Sequence, residues 1–335
     1  MQNTTFHISE PAYILEKTLE EILFPPISPY SEGYLSVTER HQLWYAEYGN
    51  PKGVPIVVIH GGPGFGCSPN DMRYFDPGYF RIVLFDQRGA KRSKPFGELF
   101  ENTASHLTAD MESLRKHLNI TQWFLFGGSW GSALALLYAE AYPDACLGLV
   151  LRGIFLGRKQ EYEQVWYGMK DTFPEEWDAL QKFLSKGERE DLINSYYTRL
   201  MDPNPEVHMP AARVFIKYDF SCAFLKPDPG FLHKILQDEV TVLGIARTFT
   251  HYCKHGFFLK ENEIVENLSR ICHLPLTIVH GRYDVICRAS AAYELHQKWT
   301  RSNLVFVQDA GHSAMEPGIA QSLIEATENF KKSFF

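Results

Sequence analysis

Four runs along the chain are apolar at nearly every position: "VPIVVIH" at 54–60, "FRIVLFD" at 80–86, "QWFLFGG" at 122–128 and "CLGLVLRG" at 146–153. Continuous apolarity over so few residues marks a strand buried on both faces. Between the runs the spacing turns helical. In "ASHLTADMESLRKHL", 104–118, Leu107, Met111, Leu114 and Leu118 share one face, and "SALALLYAEAY" runs apolar until Pro143 stops it. Strand texture returns at "LPLTIVHG", 274–281, and "NLVFVQDAGH", 303–312, before a last helical stretch, "IAQSLIEATENFKKSFF". Two shorter β-rich runs, "GYLSV" and "HQLWYAEYG", come ahead of the first long strand, followed by the turn "NPKG". This alternation predicts an α/β chain with a mostly parallel central sheet and helices on both faces. In such sheets ligands collect at the carboxyl ends of the strands.

From 157 to 265 the buried-strand runs vanish. Stretches such as "PEEWDALQKFLSK", "EVHMPAARVFIKYDF" and "GFLHKILQDEVTVLGIARTFTHY" have helical spacing and many aromatics. We therefore expect one core domain, 1–156 and 266–335, interrupted by a helical insertion at 157–265. Two independent domains fit less well, because the sheet draws strands from both sides of the insertion. Residues 1–30 read as an N-terminal arm ending in "FPPISPY".

Composition narrows the function classes. The 335 residues carry a net charge of −7, which argues against a nucleic-acid binder with a basic face. No run reaches the roughly 18 apolar residues of a membrane span. The N-terminus lacks the basic and apolar regions of a secretory signal. The six cysteines are scattered and form no C-x-x-C pair, so neither zinc nor a redox pair is expected. A cytoplasmic enzyme without a metal fits best.

The chemistry concentrates at three predicted strand ends. Gly127-Gly128-Ser129-Trp130-Gly131 matches G-x-S-x-G between a buried strand and a helix, the context that gives this motif meaning. Flanking glycines permit a sharp turn that holds Ser129 out over a helix N-terminus. A serine nucleophile needs a base, and the base needs an orienting acid. Asp284 in "IVHGRYDVICR" and His312 in "VFVQDAGHSAMEPG" follow in the order serine, acid, histidine. Asp309 and Glu316 are rival acids; Asp284 is preferred because it stands just past its own strand. The loop "HGGPGFG", 60–66, offers backbone N–H groups for an oxyanion hole, with Gly62 the first choice and Gly61 the second. The N–H of Trp130 is the other donor. A phosphate loop would need a Lys-Ser/Thr pair, which is absent here. In "DQRGAKRS", Asp86, Arg88 and Arg92 read as a salt-bridged turn supporting that loop, and Cys67 stands just past it.

With "HGGPGFGCSPNDMRYFDP", "RIVLFDQRG", "GGSWGSALAL", "LVLRGIF", "GRYDVIC" and "DAGHSAMEPGI" assembled, the chain closely resembles the proline iminopeptidases, serine peptidases of the α/β-hydrolase fold. The resemblance covers nearly the whole chain from about residue 24. It implies that Ser129, Asp284 and His312 form the triad and that 157–265 is a helical cap. It also implies short peptide substrates with N-terminal proline, and no cofactor. Phe155 in "LRGIF" matches a position that packs against the proline ring. In this family acids of the cap bind the free amine of the substrate. The family's "W-E" reads here as Tyr218-Asp219, leaving Asp219 as a shorter carboxylate. Where "ARIENHYF" is expected the chain has "ARTFTHYC", with Phe249 in place of Glu. Glu239 or Asp238 could be the missing companion. An esterase or amidase with no need for a free amine is therefore the alternative function.

Overall fold

A computed structural model of the chain describes residues 17–333; the first part of the expected N-terminal arm, residues 1–16, lies outside these. The strands are β1 (Ser31–Ser36), β2 (Gln42–Gly49), β3 (Val54–Ile59), β4 (Phe80–Phe85), β5 (Trp123–Ser129), β6 (Cys146–Ile154), β7 (Leu276–Gly281) and β8 (Ser302–Val307). They form one sheet in the order β1-β2-β4-β3-β5-β6-β7-β8. β1 and β2 arrive antiparallel, and every pairing from β4 to β8 is parallel.

The apolar runs are continuous because both faces of these strands are covered. Val57 and Ile59 of β3 face one core, shared with α1 (Ala104–His117) and α2 (Trp130–Ala141). Ile56 and Val58 of the same strand face the other, against α9 (Pro317–Ser333). Side chains alternate along a strand, so each layer takes every second residue. The helix α8 (Ala289–Lys298) shares this core with α1 and α2, packed on β6, β7 and β8, and gives it Ala291, Ala292 and Leu295.

Between β6 and β7 the chain is helical: α3 (Pro174–Lys182), α4 (Leu192–Met201), α5 (Pro205–Cys222), α6 (Pro229–Gln237) and α7 (Glu239–Lys254). Aromatic rings hold this cap together. Trp166 stacks on Phe215 at 4.8 Å between centroids, and Phe249 stacks on Phe215 at 5.5 Å. The helical run expected from "GFLHKILQDEVTVLGIARTFTHY" is broken at Asp238. The Asp238 carboxylate accepts the N–H of Thr241 and starts a new helix, α7. Among the described residues no helix is long and apolar enough to cross a membrane.

Strands β3, β5, β6, β7 and β8 all end at one edge of the sheet, and the candidate residues gather there.

Candidate active site

Ser129 is the last residue of β5 and directly precedes α2. Its backbone stands at φ 58°, ψ −128°, a conformation that a side chain disfavours and that the surroundings must enforce. The neighbouring glycines show how. A Cβ at Gly127 would collide with the Gly131 carbonyl, and one at Gly131 with the Ile59 carbonyl. The turn is thus wedged against the end of β3. Helix α2 then starts at Trp130, so its unpaired N–H groups and its dipole lie beside the serine.

The loop after β7 carries Asp284, whose Oδ2 lies 2.7 Å from Nδ1 of His312 on the loop after β8. Oδ1 accepts the N–H groups of Ile286 at 3.0 Å and Cys287 at 2.8 Å. Burial alone would raise this carboxyl. The His312 imidazole outweighs burial, with help from His280, and holds Asp284 below the ordinary carboxylate range. His280 accepts the Ile154 N–H at Nδ1 and so donates from Nε2 to the Cys287 carbonyl, bracing the same loop from beneath. Of the three carboxyls weighed from sequence, Asp284 meets the imidazole. Asp309 is exposed. Glu316 turns away, accepting the N–H groups of Gly311 and Leu225, each at 2.8 Å.

The loop after β3 abuts the serine. A Cβ at Gly61 would lie 3.3 Å from Ser129 Cβ and 3.9 Å from Oγ. Below it, His60 accepts the Gln87 N–H at Nε2, and its Nδ1 lies 2.9 Å from the Gly61 carbonyl, with the Gly66 N–H also directed at it from 3.2 Å. Burial pushes this imidazole down to about 4, which keeps it neutral. A planar trans peptide aims its C=O and N–H in opposite directions, so the placing of the Gly61 carbonyl fixes where the Gly62 N–H points. The Trp130 indole is tied in as well, donating to Gln87 Oε1 at 2.9 Å. The turn "DQRGAKRS" is only partly as expected. Asp86 does pair with Arg92 at 2.6 Å and accepts the Cys67 N–H. Arg88 instead forms a buried bidentate pair with Asp110 of α1.

The cap closes over this edge. Phe65 of the glycine loop stacks on Phe220 of α5, and Gly64 approaches Gly244 and Thr248 of α7 closely enough to exclude a Cβ. Asp219 of α5 is half-buried and makes no hydrogen bond or ion pair with any described residue. Burial raises its carboxyl to about 6, while nearby His312 acts in the opposite direction. Phe155 is buried and meets Phe257 edge-on at 4.7 Å. The two companions considered for Asp219 are engaged elsewhere: Asp238 caps α7, and Glu239 pairs with Arg213 at the surface. Phe249 belongs to the apolar stack on Phe215 and Trp166.

Four features of the site were not read from sequence. Gly153, at φ 52°, lets β6 pass directly under the imidazole: a Cβ there would lie 3.0 Å from His312 Cε1. Arg152 lies over Gly128 and donates to the His312 carbonyl. Cys287, not Cys67, is the thiol against the Ser129 hydroxyl, and burial pushes it well above its ordinary range. Cys67 points instead at the Phe85 carbonyl. Finally, the Ala223 carbonyl just past α5 accepts the N–H groups of both His312 and Ser313 at 3.0 Å. Each of these works through backbone or long-range contact, so only Gly153 left a sequence trace, as a glycine at a strand end. Among the described residues no cluster of three or more His, Cys, Asp or Glu could hold a metal ion.

Residues 54–210 match the family model for the alpha/beta hydrolase fold. The chain is 44% identical over 314 residues to a proline iminopeptidase of Arabidopsis thaliana, covering 92% of this chain and 82% of that protein. It is 42% identical over 312 residues to a proline iminopeptidase of Xylella fastidiosa (strain 9a5c), covering 92% of this chain and 99% of that one. Among solved structures, a proline iminopeptidase-related protein of Thermus thermophilus superposes with a TM-score of 0.61. It shares 21% identity over 90% of this chain and 97% of that chain, a likeness of fold.

Proposed function

The chain belongs to the proline iminopeptidase family of α/β hydrolases, and we propose that it releases N-terminal proline from short peptides by acyl transfer through Ser129. In this reading Ser129 Oγ attacks the prolyl carbonyl and His312 Nε2 takes its proton. Asp284 holds Nδ1–H and stabilises the imidazolium that forms. The N–H groups of Gly62 and Trp130 receive the oxyanion, with Gly61 the second choice on the loop. His312 then gives the proton to the leaving amine, and water hydrolyses the prolyl-enzyme, returning the serine proton. No cofactor is required. Residues 157–265 act as the cap over the core formed by 1–156 and 266–335.

The observation that carries the substrate assignment is Asp219. A half-buried carboxylate with no partner among the described residues, within electrostatic reach of His312, is poised for a cation brought by the substrate. The secondary ammonium of an N-terminal proline is such a cation, and it needs an opposite charge once it leaves water. Phe155 supports the reading as an apolar wall for the ring.

A second reading, an esterase or amidase without need of a free amine, draws on Phe249. Its place in an aromatic stack leaves Asp219 without a second acid. The deciding experiment compares a proline arylamide, its N-acetylated form and a nitrophenyl ester, with wild type, Ser129→Ala and Asp219→Asn. The peptidase cleaves the free amine best and loses that preference in Asp219→Asn. Equal or better cleavage of the acetylated substrate overturns it in favour of the second reading.

A further inference from the structure

A second polar cleft lies at the far end of α2. It has a volume of about 220 Å³ and is lined by Leu137 and Glu140 of α2 and by Phe258, Leu259, Glu263 and Arg270 of the segment returning from the cap. From Trp130 to Glu140 the helix rises roughly 15 Å, so this cleft is distinct from the Ser129 turn.

Glu140 sits at its base, 7% exposed, and its Oε1 is sealed from solvent with no hydrogen-bond partner among the described residues. An unpartnered buried carboxyl is costly, and most buried polar groups avoid it. Burial pushes the carboxyl up to about 8, with Arg270 opposing and Glu263 adding to the shift. Glu140 also occupies the last turn of α2, where the helix presents its negative end. The carboxyl, the neighbouring Glu263 and the helix end therefore all favour a cation at this point. At the rim, Arg270 is exposed and makes no ion pair or hydrogen bond with a described residue. Its guanidinium fork suits a carboxylate. Leu137, Phe258 and Leu259 supply the apolar wall between. The volume falls below the roughly 300–1,000 Å³ of drug-sized sites, which sets the occupant at amino-acid size.

We propose that this cleft binds a free aliphatic amino acid, with its ammonium on Glu140 and Glu263, its carboxylate on Arg270 and its side chain on the apolar wall. The test is calorimetric titration of the intact protein with L-leucine, isoamylamine (leucine without the carboxylate) and 4-methylpentanoate (leucine without the ammonium). L-leucine should bind wild type and Asp219→Asn alike. Glu140→Gln, an isosteric change, should weaken it about tenfold or more, the loss of one charge-assisted contact. Arg270→Gln, at an exposed position that leaves the fold untouched, should weaken L-leucine similarly and leave isoamylamine unaffected. The proposal is overturned if both variants bind L-leucine as wild type does, or if isoamylamine binds wild type as tightly as L-leucine. Loss of binding in Asp219→Asn would overturn it too, by placing the occupant in the Ser129 site. So would the absence of heat at about 10 mM probe, beyond a millimolar Kd.

Discussion

Ser129 carries a backbone strain that its hydroxyl does not relieve. At φ 58° an alanine meets the same penalty as the serine, whereas a glycine meets none. Ser129→Ala should therefore fold normally and lose turnover by about 10⁴-fold or more, measured on a proline arylamide. Ser129→Gly should be equally inactive yet unfold at a higher temperature than Ser129→Ala, by a stability on the order of 1 kcal/mol. Asp219 makes a second residue-level prediction. Burial raises its carboxyl to about 6, so the carboxylate proposed to meet an ammonium is lost as pH falls through 6. The ratio of free-amine to ester kcat/KM should drop across that window, and Asp219→Asn should flatten it. Stability runs the other way. A carboxyl whose folded pKa is raised penalises the folded state increasingly as pH climbs from the ordinary value of 3.8 to about 6, and in full above that. Asp219→Asn should thus raise the unfolding temperature at pH 7.5, and the gain should fade as pH falls through 6 towards 4.

At the scale of elements, the site depends on how strand ends and loops lean on one another. β6 passes under His312 only because residue 153 has no side chain. Gly153→Ala should displace the imidazole and lower kcat by roughly tenfold to a hundredfold with a smaller change in KM, the pattern of lost alignment. Glu316 joins the histidine loop at Gly311 to the cap at Leu225. Glu316→Gln leaves one of those N–H groups without an acceptor. It should lower stability by about 1–3 kcal/mol, read by denaturant unfolding. The elements themselves were legible, because apolar runs and helical spacing report burial directly. The placement of Ser129, Asp284 and His312 at strand ends followed from the same patterns. Which carboxyl meets the imidazole was less legible. Glu316 is turned away by Leu225, which lies 91 residues earlier in the chain, and no local pattern carries that. Arg152 and Cys287 were invisible for the same reason.

Across the whole molecule, the parallel core could be read from the chain, but the strand order could not. That β2 joins the sheet through β4 depends on pairing between segments, which periodicity does not encode. Arg88 is a case in point. Sequence proximity pairs it with Asp86, whereas the fold buries it against Asp110, joining the loop after β4 to α1. Breaking a buried pair leaves one charge stranded, at about 3–5 kcal/mol. Arg88→Met should therefore lower the unfolding midpoint by roughly 5–15 °C. Activity per folded molecule should survive, since neither partner touches the candidate site.

The hydrogen bonds that tie the histidine loop to Ala223 are main-chain on both sides, the Ala223 carbonyl accepting the N–H groups of His312 and Ser313. The side chain at 223 takes no part in them, so substituting it leaves them in place. Mutational drift is therefore free to change the side chains around Asp219 while His312 stays where it is. Chain length is not free in the same way. A single residue inserted or deleted between Asp219 and Leu225 would slip this clasp out of step and pull on His312 itself. Lineages that explore new substrates should thus vary side chains here and conserve spacing, and grafted caps should work only when their junction keeps the count.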